Sequence, residues 1–415
     1  MENFIPYTIY KKKIAEFIRY SQRKNLMNIA ILIPELGGGG AERIAQLIGD
    51  YYYNQGHKVY YFLMSNMIKQ LYPVKGQVIQ TDIKSCTEDK NSVIVFLKLY
   101  LNSFTIRKLK RIYSIDVSIS FMEECNYLNI LSKRNDKVIT RICTILSKRD
   151  FNNHVLYHPK TIRFFYNLAD KVVVMSKYAK KEMADLYGIK RKKIKIIPNP
   201  SLERIVNEGE KEWKYGKNTV VCIGRLEGVK QQERIIKAFS HVAENNKEAK
   251  LLILGKGHNE KYLKAVCSRY CLQEKVIFLG FQYDIGFYLR NSRVFVMASQ
   301  VEGFPNSMVE AMAYGVPVVT MDSPGACGEI VGNQDDRELK KGEIRYCKYG
   351  ILTPYITGKM DMGEELSDEE LSFATAIEKV LENEELYMEY GRRAKKRSEI
   401  YNINHVMNIW NKIIV

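Results

Sequence analysis

Residues 294–321 read VFVMASQVEGFPNSMVEAMAYGVPVVTM. An apolar, β-branched run over Val294–Ser299 leads into a loop with an acidic residue, Glu302, and then into a stretch with helical spacing that stops near Gly315. A second apolar run, Val316–Met321, follows directly. This order predicts a strand, a covering helix and a second strand parallel to the first, the repeating unit of a sheet with helices on both faces.

The same alternation continues along the chain from residue 28 and predicts an α/β protein with two doubly wound domains. In the first half we expect strands at Asn28–Leu36, Lys58–Met64, Val117–Phe121, Val138–Cys143, Lys171–Ser176 and Lys193–Pro198. In the second half we expect strands at Thr219–Arg225, Ala249–Gly255, Val276–Phe281, Val294–Ser299, Val316–Met321 and Gly350–Thr353. Open parallel sheets bind ligands beyond the carboxyl ends of their strands, so we expect the chemistry at those ends.

The predicted division of the chain has five parts, because 415 residues exceed what one core usually supports. Residues 1–26 form a basic segment in which apolar residues recur at helical spacing. Residues 27–197 form the first domain, 198–217 a hinge rich in proline and charge, and 218–395 the second domain. Residues 396–415 form a C-terminal helix that we expect to return to the first domain.

Composition is that of a globular protein outside the membrane interior. The sequence has no run of the roughly 18 apolar residues that a membrane span needs. Its beginning, MENFIPYTIYKKK, lacks the order of a secretory signal, so we expect a cytoplasmic location. The eight cysteines show no paired CxxC spacing, and we expect no metal site.

The formal net charge of +17 indicates an acidic partner, and nucleic acid, anionic lipid or a phosphorylated substrate would each fit. Residues 1–26 combine aromatic and aliphatic residues with six basic ones (Lys11, Lys12, Lys13, Arg19, Arg23 and Lys24). Such a helix can lie in the headgroup layer of an anionic membrane, which would place the protein peripherally at the inner face of the cell membrane. Packing on the first domain is the equally weighted alternative.

A glycine-rich loop follows the first predicted strand. Gly37, Gly38, Gly39 and Gly40 precede a helical pattern, so bare backbone amides lie at a helix N-terminus, where they favour an anion such as phosphate. The spacing does not match the dinucleotide fingerprint, because Glu42 or Arg43 occupies the position of its last glycine. A tight turn without a ligand is the alternative.

Two cations follow the first strand of the second half, in Gly224-Arg225-Leu226 and at Lys230. A planar guanidinium and an ammonium in one loop are suited to grip a diphosphate. Two carboxylates eight positions apart, Glu302 and Glu310, are expected to face one ligand and to accept hydrogen bonds from sugar hydroxyls. The alternative for the second is structural, since Ser307-x-x-Glu310 has the pattern of a capping box.

Taken together, the segments GGGGAER, IIPNP, GRLxxxK and EGFPNSMVEAMAYGVPVV resemble the GT-B glycosyltransferases of family 4, from about residue 28 onward. The resemblance implies two Rossmann-like domains facing a central cleft, the first on the acceptor side and the second binding a nucleotide-sugar donor. It further implies transfer with retention of anomeric configuration and without a metal ion. Surface polysaccharide or glycolipid synthesis is the expected context.

Carried over by position, the resemblance implies that Arg225 and Lys230 bind the donor diphosphate and that Glu302 contacts the donor sugar. We predict these three as the catalytic residues. The resemblance also implies further donor-binding residues, which are Gly38, Gly39, Asn306, Ser307 and Glu310. The two amides after Pro305 would direct a second helix N-terminus at the phosphates. The departing phosphate would itself take the acceptor proton, so no protein base is named.

The acceptor side departs from the family pattern. Phe121 stands where many relatives carry a histidine, and the strand at Val138 ends in Arg141-Ile142-Cys143. We predict Asn126 and Arg141 as acceptor-side residues, with a helix-capping asparagine and a solvated arginine as the alternatives.

The expected activity is therefore transfer of a hexose or N-acetylhexosamine from a nucleotide diphosphate sugar, with uridine as the expected base, to a saccharide acceptor that is expected to be lipid-linked. No cofactor is expected beyond this donor substrate. A nucleotide-sugar epimerase and a non-catalytic sugar-nucleotide-binding subunit are the alternatives. No nucleic-acid partner is expected, because such binding would leave Glu302, Glu310 and the glycine loop unexplained.

Overall fold

The computed structural model describes residues 26–37, 39–64, 73–148, 154–201, 212–334, 337–358, 363 and 365–414. The predicted helix at residues 1–26, apart from its last residue, and residues 202–211 of the predicted hinge at 198–217 therefore lie outside the described residues. No helix in the described ranges is long and apolar enough to cross a membrane.

The first sheet has seven strands in the order β3-β2-β1-β4-β5-β6-β7. They are β1 (Asn28–Ile33), β2 (Lys58–Leu63), β3 (Gln77–Gln80), β4 (Val117–Phe121), β5 (Lys137–Arg141), β6 (Lys171–Val174) and β7 (Ile194–Ile196). The intervening helices are α1 (Gly40–Asn54), α2 (Ser92–Ile112), α3 (Glu123–Leu131), α4 (Pro159–Tyr166) and α5 (Lys177–Lys181). The central strands are apolar on both faces because helices cover both sides of a parallel sheet.

The second sheet also has seven strands, in the order β10-β9-β8-β11-β12-β14-β13. They are β8 (Thr219–Ile223), β9 (Lys250–Leu254), β10 (Val276–Gly280), β11 (Val294–Met297), β12 (Val318–Met321), β13 (Arg345–Tyr346) and β14 (Ile351–Thr353). The helices are α6 (Gln232–Asn245), α7 (Glu260–Arg269), α8 (Gly286–Asn291), α9 (Asn306–Ala313), α10 (Cys327–Val331), α11 (Asp368–Glu382), α12 (Glu384–Ser398) and α13 (Ile403–Ile414). Only β13 runs antiparallel among the described pairings of this sheet.

All twelve predicted strands coincide with observed ones, which confirms the α/β prediction. Two strands were not predicted. β3 has the sequence QVIQ and is largely exposed at the sheet edge, and β13 has only two residues, so neither shows an apolar run. The predicted C-terminal helix at 396–415 is wrong in detail, because α12 begins at Glu384 and a 3₁₀ turn at Glu399–Tyr401 separates it from α13.

The described chain divides into two compact units that differ from the predicted domain boundaries. Unit 1 comprises the described residues of Met1–Ile142 and Asn153–Val173 together with Ile414, and unit 2 those of Cys143–Asn152 and Val174–Ile413. The main part of unit 2 therefore begins at the last residue of β6 and includes β7, although β7 pairs in the first sheet. The side chain of Met175 belongs to a buried cluster with Phe304 and Tyr401.

A buried ion pair joins two elements of unit 1. The Nζ atom of Lys110, at the end of α2, lies 2.8 Å from Oδ2 of Asp136, and both side chains are 1% exposed. Lys110 also donates to the side chain of Asn129, and Ser118 donates to Asp136. Burial lowers the pKa of Lys110 to about 8 despite the opposing charge of Asp136. Burial acts to raise the pKa of Asp136, but the charge of and hydrogen bond from Lys110 hold it below its usual range.

Replacing Asp136 by Asn should destabilise the protein by about 3–5 kcal/mol, because the ammonium of Lys110 then remains buried without its counter-charge. The free energy of unfolding in urea measures this loss. Asp185→Asn is the matched control, since Asp185 pairs with Arg191 at an exposed site and its loss should cost less than about 1 kcal/mol. Equal losses in the two variants would contradict the role given to the buried pair.

Candidate functional site

Two side chains from neighbouring strand ends of unit 2 meet in an ion pair. Lys230 ends a 3₁₀ turn, Gly228–Lys230, that follows β8, and Glu302 lies in the loop after β11. The Nζ atom of Lys230 is 2.5 Å from Oε1 of Glu302, with the side chains 25% and 9% exposed. Because β8 and β11 are adjacent in the parallel sheet, their carboxyl ends bring these loops together.

The carboxylate of Glu302 is held by a second donor. Ser299 Oγ donates to the same oxygen, Oε1, at 2.7 Å. Both of these bonds fall on Oε1, so Oε2 receives neither of them. The arrangement fixes the carboxylate while keeping one oxygen for a further donor, as a hydroxyl of a bound sugar would provide.

The backbone of the Glu302 loop packs against the loop after β12. The amide of Glu302 donates to Pro324 O at 3.1 Å, and the amide of Ala326 donates to Glu302 O at 3.2 Å. Gly325 lies between them with φ +127°, and a Cβ atom there would be 1.7 Å from Glu302 O. Only glycine fits both the conformation and the close approach. The sequence shows this glycine but not its contact, so its role was missed.

Helix α9 begins directly beyond this loop. Its N-cap is Pro305, and no side chain caps it. Ser307 therefore lies inside the first turn and donates to Ile223 O, the last residue of β8, at 3.1 Å. The capping-box alternative for Ser307 and Glu310 is wrong, because it requires the serine at the N-cap.

The other two predicted donor-binding residues of α9 are also placed by the fold. Glu310 lies on the second turn of the helix and is 8% exposed. Asn306 accepts a hydrogen bond at Oδ1 from Asn199 Nδ2 at 2.7 Å.

Arg225 is placed differently from Lys230. Its guanidinium pairs with Glu227 in the same loop at 2.9 Å, and its side chain is 61% exposed. It therefore does not contact the carboxylate of Glu302 as Lys230 does. The backbone beside it is tightly packed, since Gly255 has φ +144° and a Cβ atom there would be 1.9 Å from Gly224 O. The predicted joint grip of Arg225 and Lys230 on a diphosphate stays a prediction.

Of the two glycines predicted in unit 1, Gly38 lies outside the described residues and Gly39 is the N-cap of α1. A Cβ atom on Gly39 would be 2.1 Å from Oε2 of Glu42, an acidic residue of the first turn that is 7% exposed. The protein's own carboxylate thus lies beside this helix N-terminus, where negative charge is favourable. Both alternatives for the loop, an anion contact and a tight turn, stay open.

The two predicted acceptor-side residues are both in the core of unit 1. Asn126 is fully buried, donates to Arg141 O and Tyr166 OH, and accepts from Ser120 Oγ at 2.7 Å. It lies within α3 rather than at its start, so it is not a helix cap. Arg141 is 1% exposed, with its guanidinium carbon 5.4 Å from the centre of the Phe121 ring. The solvated alternative for Arg141 does not fit this burial, and the predicted acceptor contacts of Asn126 and Arg141 stay predictions.

Family models match both halves of the chain. The model described as Glycosyltransferase Family 4 matches residues 38–200, and the model described as Glycosyl transferases group 1 matches residues 204–343.

Curated relatives align over most of the chain. An uncharacterized glycosyltransferase of Methanocaldococcus jannaschii is 29% identical over 366 residues, which cover 82% of this chain and 89% of that protein. A second relative, from Campylobacter jejuni, is 25% identical over 386 residues, which cover 91% of this chain and 96% of that protein. Its name is N-acetylgalactosamine-N,N'-diacetylbacillosaminyl-diphospho-undecaprenol 4-alpha-N-acetylgalactosaminyltransferase.

A solved structure has a similar fold. The crystal structure of an Anabaena protein in complex with UDP and glucose has a TM-score of 0.66 and 17% identity, covering 93% of this chain and 99% of that one.

Replacing Gly325 by Ala should destabilise unit 2 because the new methyl group meets the carbonyl of Glu302. Gly358→Ala is the control: Gly358 also has positive φ, +82°, but no atom of the described residues lies within 4 Å of the added Cβ atom. In the control, the left-handed backbone conformation alone should lower the free energy of unfolding by about 1–2 kcal/mol. Gly325→Ala should lower it by about 1–3 kcal/mol more, because of the steric contact. Urea unfolding measures both, and equal losses would show that the loop tolerates the methyl group.

Proposed function

Because the chain belongs to the glycosyl transferases group 1 family and has the GT-B fold, we propose that it transfers a hexose or N-acetylhexosamine from a UDP-sugar to a saccharide acceptor, with retention of anomeric configuration and without a metal ion. The predicted family, fold and enzyme class are confirmed, and the chain is a glycosyltransferase of polysaccharide or glycolipid synthesis. The epimerase and the non-catalytic subunit are not favoured.

The observation that carries the proposal is the contact between Lys230 and Glu302. In the reaction, the bond between the anomeric carbon and the β-phosphate oxygen breaks, and negative charge develops on the diphosphate. A fixed ammonium beside that oxygen stabilises the charge where it forms and so lowers the barrier. We assign this role to Lys230, and the hydrogen bond from Ser299 that also holds its partner Glu302 supports the assignment.

Glu302 has a second role in the proposal. Its Oε2 atom, which receives neither of the bonds from Lys230 and Ser299, would accept a hydroxyl of the donor sugar. The acceptor oxygen would then attack the anomeric carbon on the face that the diphosphate leaves, and the departing phosphate oxygen would take the acceptor proton. This sequence retains the configuration and needs no protein base.

The remaining donor contacts follow from the start of α9. The amides of Asn306 and Ser307 belong to the first turn of this helix, where backbone N–H groups and the helix dipole favour phosphate oxygens. Glu310, one turn further, would bind the ribose hydroxyls. Arg225 would have to leave Glu227 to reach the diphosphate, which its exposure permits. Gly38 and Gly39 are proposed as contacts from unit 1.

The donor base and the acceptor are proposed from the relatives. The Anabaena structure holds UDP and glucose, which supports uridine. The Campylobacter relative is named for a substrate linked to diphospho-undecaprenol, which supports a lipid-linked saccharide as the acceptor here. An enzyme acting on such an acceptor would work at a membrane surface, and we propose the cytoplasmic face.

Lys230→Ala should lower kcat by at least about a hundredfold, because a fixed charge in a site of this kind contributes about 3–4 kcal/mol to the barrier. Glu302→Gln should lower kcat as well, since the neutral amide keeps the shape of the side chain but cannot form an ion pair with the ammonium of Lys230. Transfer from a radiolabelled UDP-sugar measures both. Lys247→Ala removes an exposed lysine on the surface of unit 2 and should leave the rate unchanged. Full activity of Lys230→Ala would refute the proposed role.

Thermal unfolding with a panel of UDP-, GDP- and ADP-sugars tests the donor. Because a ligand that binds only the folded state stabilises it, the matching donor at a hundred times its Kd should add about 2.7 kcal/mol. We expect UDP-sugars alone to raise the melting temperature, equally with and without EDTA. A shift that EDTA abolishes would contradict metal independence, and a shift with GDP or ADP sugars would contradict uridine.

A further inference from the structure

Helix α2 of unit 1 presents large apolar side chains to solvent. Five of its residues over positions 93–104 and one residue of α4 are each at least half exposed: Val93, Leu97, Tyr100, Leu101, Phe104 and Phe164. These six residues are called here the apolar row. Monomeric proteins rarely expose contiguous apolar patches of this kind without a binding role.

The α2 members of the apolar row lie on one side of the helix. Their spacing, i, i+4, i+7, i+8 and i+11, brings successive residues to the same face. The opposite face is buried, with Val95, Leu99 and Ile106 in the core. Phe96 of α2 stacks on Phe165 of α4 with ring centres 6.2 Å apart, and the ring of the exposed Phe164 lies 5.1 Å from that of Phe165, so α4 adds its apolar side chain next to α2. From Val93 to Phe104 the row is about 17 Å long at 1.5 Å per residue.

Charge on this surface is positive. Helix α2 contains five basic residues and no acidic one. Arg107, Lys108 and Arg111 are exposed one to two turns beyond Phe104, and α4 adds exposed Lys160 and Arg163. The acidic residues that flank the helix in sequence are Glu88 and Asp89 before it and Asp116 after it. Asp89 pairs with Lys98 at 2.7 Å, and Asp116 accepts a hydrogen bond from the backbone amide of Asn28 at 2.7 Å. The exposed cations at the far end of the helix therefore face solvent beside an apolar surface.

We propose that the apolar row and its adjoining cations dock on an anionic lipid bilayer. The apolar side chains would enter the interfacial layer, and Arg107, Lys108 and Arg111 would contact the lipid phosphates. A second copy of this chain fits less well, because it would bring the same cations and another net charge of +17 to the interface. The surface is distinct from residues 1–26, and its docking does not require transferase activity.

Flotation of the full chain with vesicles tests the proposal. Wild type should bind phosphatidylcholine vesicles that contain phosphatidylglycerol, and bind pure phosphatidylcholine more weakly. Leu97→Glu should lower the partition coefficient by about tenfold or more, the factor expected from losing one buried leucine. Leu371→Glu is the matched control, because Leu371 is 41% exposed on α11 of unit 2 and lies outside the row. It should bind as wild type.

Two further variants separate the contributions. Phe164→Glu should weaken binding as Leu97→Glu does if both helices share one surface. Lys108→Gln should weaken binding to anionic vesicles by about fivefold, the factor for one basic residue at the membrane. Far-UV circular dichroism checks that each variant is folded.

Three results would overturn the proposal. Wild-type binding by Leu97→Glu would exclude the apolar row. Loss of binding on deleting residues 1–24, with Leu97→Glu still bound, would place the contact in the N-terminal segment. A wild-type dimer in light scattering that Leu97→Glu converts to a monomer, with vesicle binding unchanged, would assign the surface to a second copy. None of these measurements depends on the donor or on turnover.

Discussion

Close contact between backbones at the carboxyl edge of the second sheet determines where its functional side chains can lie. Gly255 meets the carbonyl of Gly224, and Gly325 meets the carbonyl of Glu302, each at a distance that excludes a Cβ atom. The first contact positions the loop that leads to Lys230, and the second positions Glu302 itself. Since close-packed backbones move little, the two loops hold Lys230 and Glu302 in one arrangement before any ligand arrives. Preorganisation of this kind lowers the cost of orienting charge during a reaction.

Lys230 and Arg225 show how one loop can give two cations different properties. Lys230 is three-quarters buried as a side chain and is bound to a carboxylate that a serine also holds. Arg225 is mostly exposed and pairs within its own loop. Exposed ion pairs contribute little to stability and can readily give up one partner for another, whereas an ion pair enclosed by packed backbone keeps its geometry. The first cation is therefore suited to a fixed electrostatic role, and the second to closing on a ligand once it is bound.

The strands of both sheets could be predicted because each central strand is an apolar run, whereas β3 and β13 carry no such pattern. That Lys230 and Glu302 lie near the same edge of the second sheet could be predicted because their motifs follow strand ends. What could not be predicted depends on contacts across the fold. Asn126 is a polar residue near a strand end, but its hydrogen bonds to Ser120 and Tyr166 place it in the core. The exact start of α9 excludes a capping box formed by Ser307 and Glu310. Because the helix begins at Asn306, Ser307 lies inside the first turn and cannot be the N-cap residue.

Net charge could not identify a partner because lysines and arginines with the same charge have different surroundings. Lys110 neutralises a buried carboxylate inside unit 1, and Lys237 does the same for Glu370 in unit 2, so neither contributes to recognition. Lys230 is directed at a carboxylate in the proposed active site. Cations that are exposed, unaccompanied by acidic residues on the same helix, and adjacent to apolar side chains are well suited to contact an anionic lipid surface. Arg107, Lys108 and Arg111 satisfy these conditions, since α2 carries no acidic residue and its apolar row precedes them on the same face. The order of apolar and basic residues along that helix, and not the total charge of the chain, therefore indicates a lipid surface.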